Sequence, residues 1–329
     1  MRIKRAFPVL FGFLIAALAI TVIVQLRKHA PPEAARLLPG ADAFIYLDLS
    51  WMRLADIGHR LPAVQLEPEY EQFIRATGFQ FERDLKEAAV AVHYASAQTG
   101  GETRYSEVFV AKIDGDKLRA YLKSLAKSVD SDQPVEVYNI PLQDRILRVA
   151  ILGPDIVAAS NHPDPGVIRG IIARSRKLAS PFGGPSLLRQ FYKRVPIASL
   201  GWGIARINAQ SSTGPADIAF PLTTPATLIA SVRYLRAVHF RAEAFTHDPQ
   251  QAQQLASQAN AFLAVFHAAE ISVGEQTPDS DVQKTLDSLK VEQKEDRAVL
   301  TAVLPVELLR KIVAEAPKEV GPAAKAKGQ

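Results

Sequence analysis

The chain has no cysteine among its 329 residues. That excludes a disulfide framework, a thiol nucleophile and a lipid-bearing N-terminal cysteine. Histidine is sparse too. His29, His59, His93, His162, His239, His247 and His267 are the full set, and no two lie within five residues of each other. No local zinc-ligand pair exists, so no metal residue is assigned from sequence. Acidic residues are missing from residues 1–30, whereas Arg2, Lys4, Arg5, Arg27 and Lys28 lie there. With 39 basic and 34 acidic residues overall, removing those five basic residues leaves 34 against 34. The remaining chain is neutral, which removes the charge argument for nucleic-acid binding.

Catalytic motifs are also lacking. Ser124-Leu125-Ala126-Lys127 matches S-x-x-K, but Lys284-Thr285-Leu286 departs from K-T-G at its last residue. Gly184-Pro185-Ser186-Leu187-Leu188 lacks the final glycine of a nucleophile elbow, and Gly201-Trp202-Gly203 is not followed by a third glycine. No catalytic residue and no cofactor are therefore assigned. Asp48, at the end of the first expected strand, reads with Ser50 as a cap for the turn at Trp51 to Leu54.

What is present begins with Phe7 to Val24, eighteen consecutive uncharged and almost wholly apolar residues. As a helix, residues 7–26 would span roughly 30 Å, the thickness of a bilayer core. The run is longer than a cleaved signal core and lacks a well-placed cleavage site, so it reads as a transmembrane signal anchor. The flanking charges favour a cytoplasmic N-terminus. The expected organisation is a cytoplasmic tail (1–6), the anchor (7–26), a linker (27–36), a first α+β unit (37–195), a second α+β unit (196–316) and a disordered tail (317–329). The expected location is the inner, cytoplasmic membrane, with the C-terminal part extracytoplasmic.

Between linker and tail, short apolar runs separated by turns predict antiparallel sheets with helices packed on one face, an α+β fold. Strands are expected at Ala43 to Leu49, Glu87 to Ala95, Ser106 to Ile113, Val135 to Ile140, Ile146 to Leu152 and Ile156 to Ser160. Helices are expected from Pro68 to Thr77, from a cap at Asp114 or Asp116 through Leu125, and after Asp164-Pro165. The second half predicts strands over 198–207 and 227–244, a helix from Asp248-Pro249, a 289–304 hairpin and a helix from Pro305. Gln143-Asp144-Arg145 and Glu295-Asp296-Arg297 precede similar apolar strands, which suggests an internal duplication.

One charge asymmetry stands out. Residues 165–216 hold no acidic residue but contain Arg169, Arg174, Arg176, Lys177, Arg189, Lys193, Arg194 and Arg206. Residues 266–296 hold eight acidic and three basic residues. The first segment is a candidate anionic-surface contact; the alternatives are that the two segments lie against each other or that each is a solvated helix face.

The opening Leu37-Leu38-Pro39-Gly40-Ala41-Asp42-Ala43-Phe44-Ile45-Tyr46-Leu47-Asp48-Leu49-Ser50, followed by Tyr70 to Leu85, resembles the start of the exported part of uncharacterised, single-pass bacterial envelope proteins. The resemblance covers about the first quarter of the chain. It implies an envelope location and an α+β domain, and no activity. The expected role is binding or scaffolding in the cell envelope, with an envelope protein or an anionic polymer or lipid as partner. The alternatives are a hydrolase or transferase of envelope polymers and an accessory subunit of a membrane complex.

Overall fold

A computed structural model of the protein describes residues 30–50, 68–132, 134–177, 183–207, 224–273 and 280–307. Twelve strands form one continuous sheet, every adjacent pair antiparallel. They are β1 (Ala43–Asp48), β2 (Leu85–His93), β3 (Arg104–Ala111), β4 (Ser128–Asp132), β5 (Val135–Leu142), β6 (Arg145–Ile151), β7 (Ile156–Ser160), β8 (Gly201–Ile207), β9 (Ala226–Tyr234), β10 (Val238–Phe245), β11 (Lys290–Lys294) and β12 (Arg297–Leu304). Their order is β11-β12-β10-β9-β8-β1-β2-β3-β7-β6-β5-β4. The helices are α1 (Glu33–Leu37), α2 (Pro68–Thr77), α3 (Phe81–Asp84), α4 (Gly115–Leu125), α5 (Gly166–Arg176), α6 (Ser186–Phe191), α7 (Pro249–Val273) and α8 (Ser280–Ser288).

Alternate strand residues point to opposite faces of a sheet. Val137, Ala150 and Ala158 join one buried cluster with α1, α5 and α6, whereas Tyr138, Val149 and Ala159 join another with α4. At the other end of the sheet Ala226, Ala244 and Ala298 pack with Leu255 and Ala256 of α7. Helices therefore cover both faces. This corrects the expected α+β fold with helices on one face. The architecture is a β-rich, twelve-stranded antiparallel sheet with a few helices. The central cluster holds most of the large fully buried side chains, including Phe44, Leu37, Ile168, Ile171, Ile172, Leu187 and Leu188, while the largest, Tyr138, lies in the α4 cluster.

The outer strands are short and polar: β4 reads SVDSD and β11 KVEQK. Charged side chains on such edges oppose pairing with another sheet. The expected units meet at β1 and β8, which are hydrogen-bonded neighbours, so the sheet runs unbroken across residue 195. Wiring on the two sides is alike. β1-β2-β3 is closed by β7 beside β3, and β8-β9-β10 by β12 beside β10. The two Asp-Arg turns share a local shape, with φ of 52° at Gln143 and 54° at Glu295. They close the β5–β6 and β11–β12 hairpins, which hold different places in that wiring.

The single-pass, inner-membrane placement and the signal-anchor reading are also corrected. Among the described residues no helix is long and apolar enough to cross a membrane. Residues 7–26, the 51–54 turn, the helix expected after Pro305 beyond residue 307 and the 317–329 tail lie outside the described residues. Part of the expected 27–36 linker is core: α1 buries Ala34, Ala35 and Leu37 against the sheet.

Candidate functional site

A polar pocket of about 320 Å³ opens at one end of the central strands. There β1 and β3 begin while β2, β7 and β8 end, which brings Asp42, His93, His162 and Arg206 to one lining. The turn after β2 supplies Tyr94, Ser96, Gln98 and Thr99, and the start of α6 supplies Ser186 and Leu187.

Each wall is held by named bonds. The Asp42 carboxylate accepts from the Tyr94 N–H (2.9 Å). Ser96 and Thr99 form a reciprocal cap on the turn Ala97–Thr99, and Arg104 Nε donates to the Thr99 carbonyl (3.0 Å). On the opposite wall Arg148 donates to the carbonyls of His162 (2.7 Å) and Pro163 (3.3 Å). Asn161 Oδ1 accepts from the Tyr105 N–H (2.7 Å), fixing the loop that carries His162 beside β3.

The two imidazoles meet at a ring separation of 5.0 Å, edge to face. A chain of buried hydroxyls runs beneath them. His93 Nε2 bonds Ser106 Oγ (3.1 Å), Ser106 Oγ bonds Ser160 Oγ (2.9 Å), and Ser160 Oγ accepts from the His162 N–H (3.2 Å). Ser106 and Ser160 are cross-strand partners, so strand register makes the chain. His162 Nδ1 accepts from the Asp164 N–H (3.1 Å). That bond requires a lone pair on Nδ1, so the neutral ring carries its proton on Nε2.

Both rings are kept neutral. Burial, followed by repulsion from His162, lowers the His93 pKa from 6.5 to about 4, against a smaller opposing pull from Asp42. Burial lowers His162 as well, with Asp164 opposing it. A base titrating that low gives little general-base catalysis near neutrality. Ser106 and Ser160 are 0% and 2% exposed, so the Ser–His contact does not present a nucleophile to the pocket. Among the described residues no group of three or more His, Asp or Glu is placed to hold a metal ion.

No family model matches the chain, and no curated protein matches it in sequence. Solved structures do match in fold. Crystal form III of TP0453 superposes with a TM-score of 0.50 at 10% identity, over 86% of this chain and 98% of that one. Crystal forms I and IV of TP0453 give 0.45 at 9% and 7% identity, over 87% and 86% of this chain and 98% and 97% of those chains. At this identity the likeness concerns the fold alone.

The seven residues of the expected anionic contact divide. Arg174 is half-buried, donates to the Leu37 carbonyl (2.8 Å) and has its pKa lowered by burial. Arg176 is tied to Asp132. Arg169, Lys177, Arg189, Lys193 and Arg194 are exposed, and none makes an ion pair among the described residues. Arg194 stacks over Phe245 at 5.3 Å. Among the described residues no ion pair joins the basic and acidic segments, whose Asp281 and Glu292 pair locally with Lys284 and Lys294. Ser124 of the S-x-x-K sequence is exposed and bonds the Tyr121 carbonyl one turn back. Asp48 accepts from the Ser50 N–H (3.0 Å). The histidine pair was missed because its members are far apart in sequence. The available signal was a polar His or Ser at the end of an otherwise apolar strand.

Proposed function

We propose that the chain is a binding protein, with the strand-end pocket taking a small polar solute. The observation that carries this reading is the pairing of two neutral, rigidly held histidines inside a polar pocket, above a buried Ser106–Ser160 hydroxyl chain. The pocket volume of about 320 Å³ lies at the small end of the range for small-molecule sites, about 300–1,000 Å³. Neutral imidazoles offer a donor and an acceptor without the cost of burying charge. The test is a titration of the full chain with a panel of small polar metabolites, following the imidazole resonances of His93 and His162. Saturable shifts in both rings for at least one compound are expected. Rings that stay fixed across the panel, with the protein folded, would refute the reading.

A second reading, an acidic-polymer contact, is favoured by the five exposed cations on or following α5 and α6, two helices that pack in the same buried cluster. Surface charge of this kind acts through long-range attraction that salt screens. Retention on a polyanionic matrix that falls with salt, and falls further on combining Lys193→Glu with Arg194→Glu, is the expected result.

A further inference from the structure

We propose that the pocket's ligand is a small zwitterion, with its ammonium at Asp42 and its carboxylate at Arg206. The proposal rests on the pocket being a ligand site and names the chemical class it takes. Asp42 and Arg206 sit opposite each other at the β1–β8 join: the Arg206 N–H donates to the Asp42 carbonyl (2.9 Å), and the next residues, Ala43 and Ala205, are register partners. Opposite charges placed this way on one face of a sheet ordinarily attract each other. Here both side chains line the cavity and no ion pair joins them. Asp42 is not idle. One carboxylate oxygen is anchored by the Tyr94 N–H (2.9 Å), which orients the group and leaves the other oxygen for a ligand. Arg206 is exposed at the rim.

The other charged groups at this end are already engaged. Arg104 is paired with Glu102 (3.2 Å) and bonded to the Thr99 carbonyl, Arg148 is bonded to two carbonyls, and Asp164 accepts from the Gly166 N–H (2.7 Å). Among the described residues the pocket lining therefore offers one open negative and one open positive group alongside neutral hydrogen-bonding side chains. A ligand bearing one charge of each sign satisfies both poles at once. A ligand with a single charge leaves one pole unmet and meets the like-charged one. The neutral histidines add to this, because a protonated ring beside Asp42 would compete with an incoming ammonium.

The experiment is calorimetric and NMR titration of the full chain with L-alanine, L-leucine and 4-aminobutyrate, which span two charge separations. N-acetyl-L-alanine, lacking the ammonium, and L-alaninamide, lacking the carboxylate, are the matched single-charge probes. At least one zwitterion is expected to bind roughly tenfold or more tightly than either blocked form, the scale of one charge-assisted contact. Asp42→Asn should weaken the zwitterion by a similar factor and should not weaken N-acetyl-L-alanine, which it relieves of a like charge. Arg206→Gln should weaken the zwitterion and should not weaken L-alaninamide, for the same reason. Arg206 is exposed, so its variant keeps the test available if Asp42→Asn does not fold. Blocked forms that bind as tightly as the zwitterions, or variants without effect, would overturn the proposal. If other polar metabolites shift the histidines and no zwitterion does, this inference fails while the pocket remains a ligand site. If nothing shifts them, both fail.

Discussion

Replacing His93 should remove a measurable share of the acid sensitivity of this fold between pH 6.5 and 4. In the folded chain its pKa falls from 6.5 to about 4, with burial the larger cause and His162 the second. At about 1.4 kcal/mol per tenfold, that difference corresponds to about 3 kcal/mol of preference for the neutral ring. Residue 93 is 7% exposed, but its ring lies beside an open polar pocket, so the figure is an upper bound. The sign follows from proton counting. Between pH 6.5 and 4 the unfolded chain takes up a proton that the folded chain refuses, so stability rises with pH across that window. The contribution is complete above pH 6.5, is lost as pH falls toward 4 and changes no further below. His162 acts in the same direction, and because the two rings repel each other, their effects are not additive. Urea unfolding of wild type and His93→Gln at pH 7.0, 5.5 and 4.0 provides the measurement. Carboxylates also titrate here, so the informative quantity is the difference between the two stability curves, which should narrow by up to about 3 kcal/mol on acidification. Parallel curves, or a His93 resonance titrating near its ordinary value, would refute the reasoning.

Three further substitutions probe what holds the site. Ile172→Ala, at a fully buried position of α5 in the central cluster, should cost about 2–5 kcal/mol in chemical denaturation. Ser160→Ala removes the acceptor for the His162 N–H and a partner of Ser106; a loss of about 1–3 kcal/mol and a moved His162 resonance are expected. Gly184→Ala places a side chain at φ 105°, where its Cβ would lie 3.4 Å from the Arg36 Cα; a loss above about 1 kcal/mol is expected in thermal melts.

Much of the element pattern was legible because local chemistry decides it. Pro68 opens α2 and Gly78, at φ 72°, stops it. Asp114 accepts from the N–H groups of Asp116 and Lys117 to start α4. A two-residue turn at Gln143-Asp144 between two largely apolar runs marks β5 and β6. What escaped is set by long-range pairing. The β4 sequence, SVDSD, has no apolar period and owes its order to β5. α1 is one short turn inside a proline-flanked stretch, and it is helical because the sheet gives its alanines and leucine a surface to bury against. Helices on both faces left a trace that went unread. The run Ala88 to Val92 is apolar at every position, the mark of a strand covered on two sides rather than one. His93 and His162 meet only because β7 returns to β3 after three intervening strands, and nothing local encodes that return.

The same long-range logic places the β1–β8 join under the proposed site. Asp42, His93 and His162 come from the strands before residue 195, and Arg206 comes from the first strand after it. A pocket carrying both charges therefore exists only while the two halves share one sheet. The join is close: at Gly201 a Cβ would stand 2.8 Å from Leu47 Cδ2 and 3.2 Å from the Tyr46 carbonyl oxygen, so a side chain there would have to displace Leu47. Below it Tyr46 stacks on Trp202 across the same pair of strands, ring centres 5.4 Å apart, so the join is sealed by aromatic packing on the face that bears the pocket. The backbones of Asp42 and Arg206 are thus held at fixed separation by a packed, register-locked strand pair, so the proposed ligand would meet two anchor points whose spacing the fold sets.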